Sequence, residues 1–392
     1  MTKSDRWLLP EGIEEVLPEK AARLEALRRS LLDMYTSWGY EIVMPPFIEY
    51  LESLLTGTGH DLELQTFKLT DQLTGRMMGV RADMTPQVAR IDAHQLKRET
   101  PTRLCYMGTV LHTRSDGFAS SRSPLQLGAE LYGHSGAESD VEILSLMLET
   151  LALANIKKPY LDLGHVGIFR GLAQQAGLSD DQEAELFDAL QRKATVELNQ
   201  LVDKWQLDSK VSEMLIALST LNGGAEVLDN AEAVLSEASD SVKAALANLK
   251  TIAAQISARF DVPVNFDLAE LRGYNYHTGV VFSAYVDGQG QAVAQGGRYD
   301  DIGQVFGRAR AATGFSTDLK NLVETFQQAE QNSVAIFAPN SDDSELMKAI
   351  AELRQQGEKV ICALPGQKGG AKEMLCNRQL EKNASGWQVK DL

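Results

Sequence analysis

A chain of 392 residues with 44% hydrophobic composition can bury a full-sized core and still supply one or two smaller domains. Its formal net charge of -16 works against non-specific contact with a polyanion, since phosphate binding needs clustered Lys and Arg, and nucleic acid is therefore a disfavoured partner. Apolar runs are short and broken by charge, and MTKSDRWLLPEGIEEVLPEK has no apolar stretch followed by a small-residue cleavage site, so neither export nor a membrane span is expected.

In chain order, EKAARLEALRRSLLDMYTSWGY places Leu24, Leu27, Leu31, Met34, Tyr35 and Trp38 on one face at helical spacing, with Gly39 as a C-terminal cap. YEIVMPPF predicts a short strand stopped by Pro45 and Pro46, which cannot donate ladder hydrogen bonds and suit an edge that could face a second subunit. TFKLTDQLTGRMMGVRADMT predicts two strands joined by a polar turn containing Gly75. PQVARIDAHQ then opens a helix on Pro86. TRLCYMGTVLHTR and SPLQLGAELYGH predict a strand pair around the loop SDGFASSRS, followed by the helix DVEILSLMLETLAL and the strand YLDLGHVG.

From 168 to 260 the texture changes to Ala, Leu, Glu and Gln at helical period, and Ser179 with Gln182 forms a capping-box pattern. Strand texture resumes with VNFDLAEL, GVVFSAYV and AVAQGGRYD. SVAIFAP, SELMKAIAELRQQG and KVICALP predict a strand, a helix and a strand before a polar tail. The expected division is a β-rich core at 1–167 and 261–325, a helical insertion at 168–260, and a small α/β domain at 326–392.

No GxxxxGK(S/T) phosphate loop occurs, and His60, His94, His112, His134, His165 and His277 are too scattered for a metal site; neither metal nor cofactor is expected. Cys105, Cys362 and Cys376 are sparse and far apart, which fits a reducing compartment and points to the cytoplasm. GGRYD by itself marks only a turn or close backbone packing. Around it, however, Arg272 and Glu270 are expected beside a strand bearing Tyr276 and His277, and QLGAE puts Gln126 and Glu130 on one strand face, as Asp83 and Thr85 would be. Carboxylates with an amide and a hydroxyl can hold an ammonium, and an arginine can hold a carboxylate, so the set suits a zwitterionic amino acid.

GYEIVMPPF, DQLTGRMMGVRADMTPQVAR, QLGAELYG with DVEI, LRGYNYHTGVVF and GGRYDDIGQVFG leading to TGF occur as an ordered series. Over about residues 8–165 and 262–325 this series resembles the catalytic domain of class II histidyl-tRNA synthetases. The resemblance implies an α+β fold with a class II aminoacyl-tRNA synthetase-like antiparallel sheet core, and a pocket for histidine. Thr85, Gln126, Glu130, Arg272, Tyr276 and Tyr299 match that family's histidine-binding positions, whereas Asp83 replaces a glutamate, Asn275 an aspartate and His277 a tyrosine. The resemblance further implies that Gln126 and Glu130 hold the ammonium and that Tyr299 and His277 line the imidazole end.

The ATP side departs further. VLHTR puts His112 where the family carries an arginine, with Arg114 at the acidic position, and GFSTDLKN puts Asp318, Lys320 and Asn321 at the Gly, Glu and Arg of GFxxGxER. His and Asn cannot replace fixed guanidinium donors facing a triphosphate, so amino-acid activation should fail. The stretch after Asn321 is also short for an anticodon-binding domain. The combination is similar to the synthetase-like regulatory subunits of ATP phosphoribosyltransferase. That similarity implies a non-catalytic subunit in the first step of histidine biosynthesis, with a short-form catalytic subunit as partner, histidine as effector, and a homodimer within a larger hetero-oligomer. A divergent histidyl-tRNA synthetase and a free-standing histidine sensor are the alternatives.

Overall fold

The stripe in EKAARLEALRRSLLDMYTSWGY folds as α1 (Pro18–Ser37), with Leu24, Leu27, Leu31 and Tyr35 buried and Met34 and Trp38 packed at the margin of the same core. Removing each of those leucines from water contributes about 1.5–3 kcal/mol, and Gly39 follows with φ of 82° as the expected cap. The computed structural model describes residues 7–57, 60–114, 121–271, 273–274, 276–326 and 335–392. Their contacts divide the chain into two compact units, Met1–Phe326 and Gln327–Leu392.

In the first unit β1 (Glu41–Ile42) pairs parallel with β5 (Thr102–Thr109). The strand expected from YEIVMPPF is thus only two residues long, because Pro45 and Pro46 have no N–H to give a ladder. Their carbonyls accept side-chain bonds instead, from Arg81 Nη1 (2.7 Å) and Gln87 Nε2 (2.9 Å). After β2 (Ile48–Tyr50) come two short helices, α2 (Leu51–Leu54) and α3 (His60–Gln65), and the hairpin β3 (Phe67–Thr70) and β4 (Met77–Val80), with β4 central in a three-stranded sheet. The helix on Pro86 is α4 (Thr85–Arg90), which runs on as a π turn over Ile91–Leu96 that the sequence did not announce.

Among the described residues the main sheet has nine strands. Beyond β5 they are β6 (Leu125–Tyr132), β7 (Tyr160–His165), β8 (Asn222–Gly223), β9 (Val264–Asp267), β10 (Val280–Tyr285), β11 (Ala294–Arg298) and β12 (Ala312–Asp318), in the order β1-β5-β6-β12-β11-β10-β7-β9-β8. Neighbours are antiparallel except for β1 with β5 and β7 with β9. This is the expected α+β fold. Helices α1 and α5 (Ala137–Leu153) share one core with Leu127, Ala129 and Leu131 of β6.

The helical stretch holds α6 (Val166–Gln175), α7 (Asp180–Gln191), α8 (Thr195–Lys204), α9 (Ser209–Ala217), α10 (Glu226–Val234) and α11 (Asp240–Ser257). Ser179 and Gln182 form the reciprocal capping box at α7. The first unit ends in α12 (Leu319–Thr325). In the second unit, β13 (Ala335–Ala338), α13 (Ser344–Gln355) and β14 (Lys359–Cys362) match the expected strand, helix and strand. The polar tail is a correction: it is a hairpin of β15 (Arg378–Asn383) and β16 (Gly386–Asp391). Only Leu380 in β15 is buried, so the pair carries almost no apolar signal, and its turn rests on Asn383 Oδ1 accepting from the Ser385 N–H (2.9 Å).

Candidate functional site

Strand β6 reads LQLGAELY, and its period-two alternation separates two environments. Leu127, Ala129 and Leu131 face the core under α1 and α5, while Gln126, Gly128, Glu130 and Tyr132 face the other way. The cross-strand register puts Gly128 opposite Tyr106 and Glu130 opposite both Leu104 and Gly314. A Cβ at Gly314 would collide with Glu130 Oε2, and one at Gly128 with the Tyr106 ring. These glycines leave room on the sheet surface for a carboxylate and a phenol.

A cavity of about 190 Å³ opens on that surface, lined by Asp83, Thr85, Glu130, Tyr276, His277 and Tyr299 among others. Glu130 is buried and accepts from the hydroxyls of Tyr106 (2.9 Å) and Tyr299. Thr85 Oγ1 bonds Tyr106 (3.0 Å), and Gln126 donates from Nε2 to Asp83 Oδ1 (2.7 Å). Burial pushes the Glu130 carboxyl up to about 8, against the pull of the two tyrosine hydroxyls, with the Asp83 charge adding to the rise. Burial holds Tyr106, Tyr276 and Tyr299 well above the usual phenol range, so all three remain protonated donors. Tyr276 stacks on Tyr299 at 5.0 Å and 24°, and its buried hydroxyl has no hydrogen-bond partner among the described residues. The arrangement offers a buried carboxyl group that can pair with an incoming cation by giving up its proton, beside an aromatic wall with a spare donor.

Seven of the expected residues line this cavity: Asp83, Thr85, Glu130, Glu270, Tyr276, His277 and Tyr299. Gln126 lines the adjoining one. Arg272 and Asn275 lie outside the described residues. Two local placements are corrected. Asp83 and Thr85 are not alternate residues of a strand; Asp83 Oδ1 accepts from the Thr85 N–H (3.0 Å) in a turn that opens α4. Tyr276 and His277 stand in a turn before β10, both donating backbone N–H to Gly273 O at 2.8 Å. The sequence reasoning missed Tyr106, whose only signal is its register opposite a glycine. It also left GGRYD half explained: Arg298 does not line the cavity but is buried against Asp140 of DVEI, Nη2 to Oδ2 at 3.0 Å.

The adjoining cavity, about 580 Å³, is lined by Asp83, His112, Gln126, Gln295, Asp318 and Asn321 among others, with no Lys or Arg among its described lining residues. His112 donates from Nε2 to the Ala82 carbonyl (2.9 Å). Asp318 caps α12, its Oδ1 accepting from the N–H groups of Lys320 (3.0 Å) and Leu125 (2.9 Å). Lys320 extends to Ser123 Oγ (3.2 Å). Among the described residues no group of three or more His, Cys, Asp or Glu could hold a metal ion, and no helix is long and apolar enough to cross a membrane.

The fold is that of a class II aminoacyl-tRNA synthetase-like core. Residues 12–322 match the family model described as histidyl-tRNA synthetase, and residues 332–390 match that of the ATP phosphoribosyltransferase subunit HisZ C-terminal domain. The chain belongs to the family of ATP phosphoribosyltransferase regulatory subunits. It is 58% identical to the protein of that name from Alkalilimnicola ehrlichii over 395 residues, covering 100% of this chain and 98% of the relative. Against that of Thioalkalivibrio sulfidiphilus the identity is 60%, with 100% of both chains covered. Among solved structures, an ATP phosphoribosyltransferase regulatory subunit/histidyl-tRNA synthetase from Bacillus halodurans is similar at TM-score 0.81 and 28% identity, over 94% of this chain and 95% of that one. A histidyl-tRNA synthetase from Nostoc shares the fold at TM-score 0.78 and 19% identity, over 98% and 94%.

Proposed function

We propose that this chain is the non-catalytic regulatory subunit of ATP phosphoribosyltransferase, acting in the cytoplasm. It binds a separate short-form catalytic subunit, which joins ATP to phosphoribosyl pyrophosphate in the first step of histidine biosynthesis, and it takes histidine as effector in the pocket around Glu130. In this proposal 168–260 acts as an insertion within the synthetase-like core of 1–167 and 261–325, and 326–392 is a separate small domain. Exposed apolar side chains around β1 and β2, among them Met44 at 81% exposure, support a homodimer through that edge.

The observation that carries the non-catalytic part is the larger cavity. A triphosphate there would meet Asp83 and Asp318 and no guanidinium or ammonium among the described lining residues, whereas phosphoryl groups are held by charge-assisted bonds from fixed cations. Histidine-dependent exchange of pyrophosphate into ATP should therefore be absent, and exchange at ordinary synthetase rates would remove this part of the proposal. His112→Arg with Asn321→Arg should not restore it, because Asp318 and Lys320 are committed to capping α12 and to Ser123. Light scattering should report a dimer that grows when the short catalytic subunit is added. A strict monomer at micromolar concentration, unchanged by that subunit, contradicts the assembly.

A further inference from the structure

The pocket wall that carries Tyr276 and His277 leans on α6 and α7, unlike the Glu130 side, which is built on the central strands. Arg170 of α6 donates through Nη2 to the carbonyl oxygens of Tyr274 (3.0 Å) and His277 (3.2 Å). One guanidinium thus grips the turn at both ends, across the two N–H bonds to Gly273 O that shape it. Gly273 sits there at φ of 67°, a conformation that side chains disfavour. The same guanidinium lies 4.8 Å over the Tyr274 ring. That ring packs on Phe169 of α6 (5.3 Å) and Phe187 of α7 (5.2 Å), and its hydroxyl donates to Glu183 of α7. Lys193, just beyond α7, pairs with Asp267 at the end of β9 (2.8 Å).

We propose that Arg170 is a positioning residue which links occupancy of the effector pocket to the conformation of α6 and α7. The inference rests on the histidine proposal above and deepens it. A ligand that engages the Tyr276 hydroxyl draws on a wall whose backbone is tied to α6 by Arg170 and to α7 by Tyr274, and the helix pair has to follow. The link is reciprocal: whatever displaces α6 and α7 changes the affinity for the effector by the same factor.

The test is calorimetry with histidine on the full chain and its Arg170→Ala and Arg170→Lys variants, together with hydrogen–deuterium exchange at saturating histidine. In the wild type, histidine should slow exchange over residues 166–191 as well as in β6. Arg170→Ala should bind about tenfold or more weakly and keep the slowing in β6 while losing it over 166–191. Arg170→Lys, which keeps a cation against the same carbonyls, should recover both in part, an outcome that separates positioning from a general loss of fold. If wild-type histidine binding leaves 166–191 unchanged, or if both variants retain its full slowing, the link falls while the histidine site stands. Absence of both heat and slowing in the wild type would overturn the effector proposal and this link with it.

Discussion

Asp140→Ala should cost the first unit about 3–5 kcal/mol of stability, the usual penalty for stripping one partner from a buried ion pair. Arg298 is 9% exposed and Asp140 1%. The guanidinium donates to both carboxylate oxygens, from Nε at 3.1 Å to each and from Nη2 at 3.0 Å to Oδ2, and also to Ser139 Oγ at 2.8 Å. Without that carboxylate the guanidinium keeps the part-exposed Asp300 Oδ1 at 3.2 Å and the neutral acceptors His134 O, Gly136 O and Ser139 Oγ, which do not replace a buried partner held through two nitrogens. Burial raises the Asp140 carboxyl above its ordinary range even with the arginine alongside. Its native proton affinity therefore exceeds the unfolded one, and the group's contribution falls as pH rises through its titration range. Desolvation outweighs attraction, so the pair fixes geometry more than it adds stability, and Asp140→Ala with Arg298→Met should lose less than Asp140→Ala alone. Urea melts read on the first unit give both values, since the two units need not unfold as one. A single-variant loss below about 1 kcal/mol would show that water enters and solvates Arg298.

That pair also marks the limit of what the sequence could tell. Alternation in LQLGAELY, the stripe of α1 and the capping box at Ser179 are properties of neighbouring residues, and each was legible as such. Arg298 and Asp140 are 158 positions apart, and nothing local in GGRYD says that its arginine turns away from the pocket while its tyrosine turns in. Tyr106 was hidden for the same reason: its meeting with Glu130 depends on the register between β5 and β6. Asp83 and Thr85 reach the cavity by a turn and not by strand alternation, so the geometry expected for them was mistaken. The two-residue β8 and the hairpin of β15 and β16 bury too little for any periodicity to register.

Glu130→Gln should weaken histidine binding about ten- to hundredfold near pH 8, since hydrogen bonds to charged groups contribute roughly 1.5–3 kcal/mol and each decade of affinity is about 1.4 kcal/mol. The substitution keeps shape and removes charge, and its effect should depend on pH in a definite direction. Without ligand, burial keeps the Glu130 proton on until about pH 8. An ammonium needs the carboxylate, so binding below that pH must expel the proton. Wild-type affinity should therefore rise with pH by up to about tenfold per unit below 8 and then level off. The heat of binding should also vary with the ionisation enthalpy of the buffer, as proton release requires. The amide of the Glu130→Gln variant has no such proton to lose, so relative to wild type it should show a flatter pH profile and less buffer dependence, and the gap between the two proteins should close as pH falls. Calorimetry at pH 6.5, 7.25 and 8 measures all of this, alone and in the complex with the catalytic subunit. Equal affinities for the two proteins at every pH would place histidine outside this pocket, and the tyrosine-bound carboxylate would then be an inherited part of the synthetase-like core.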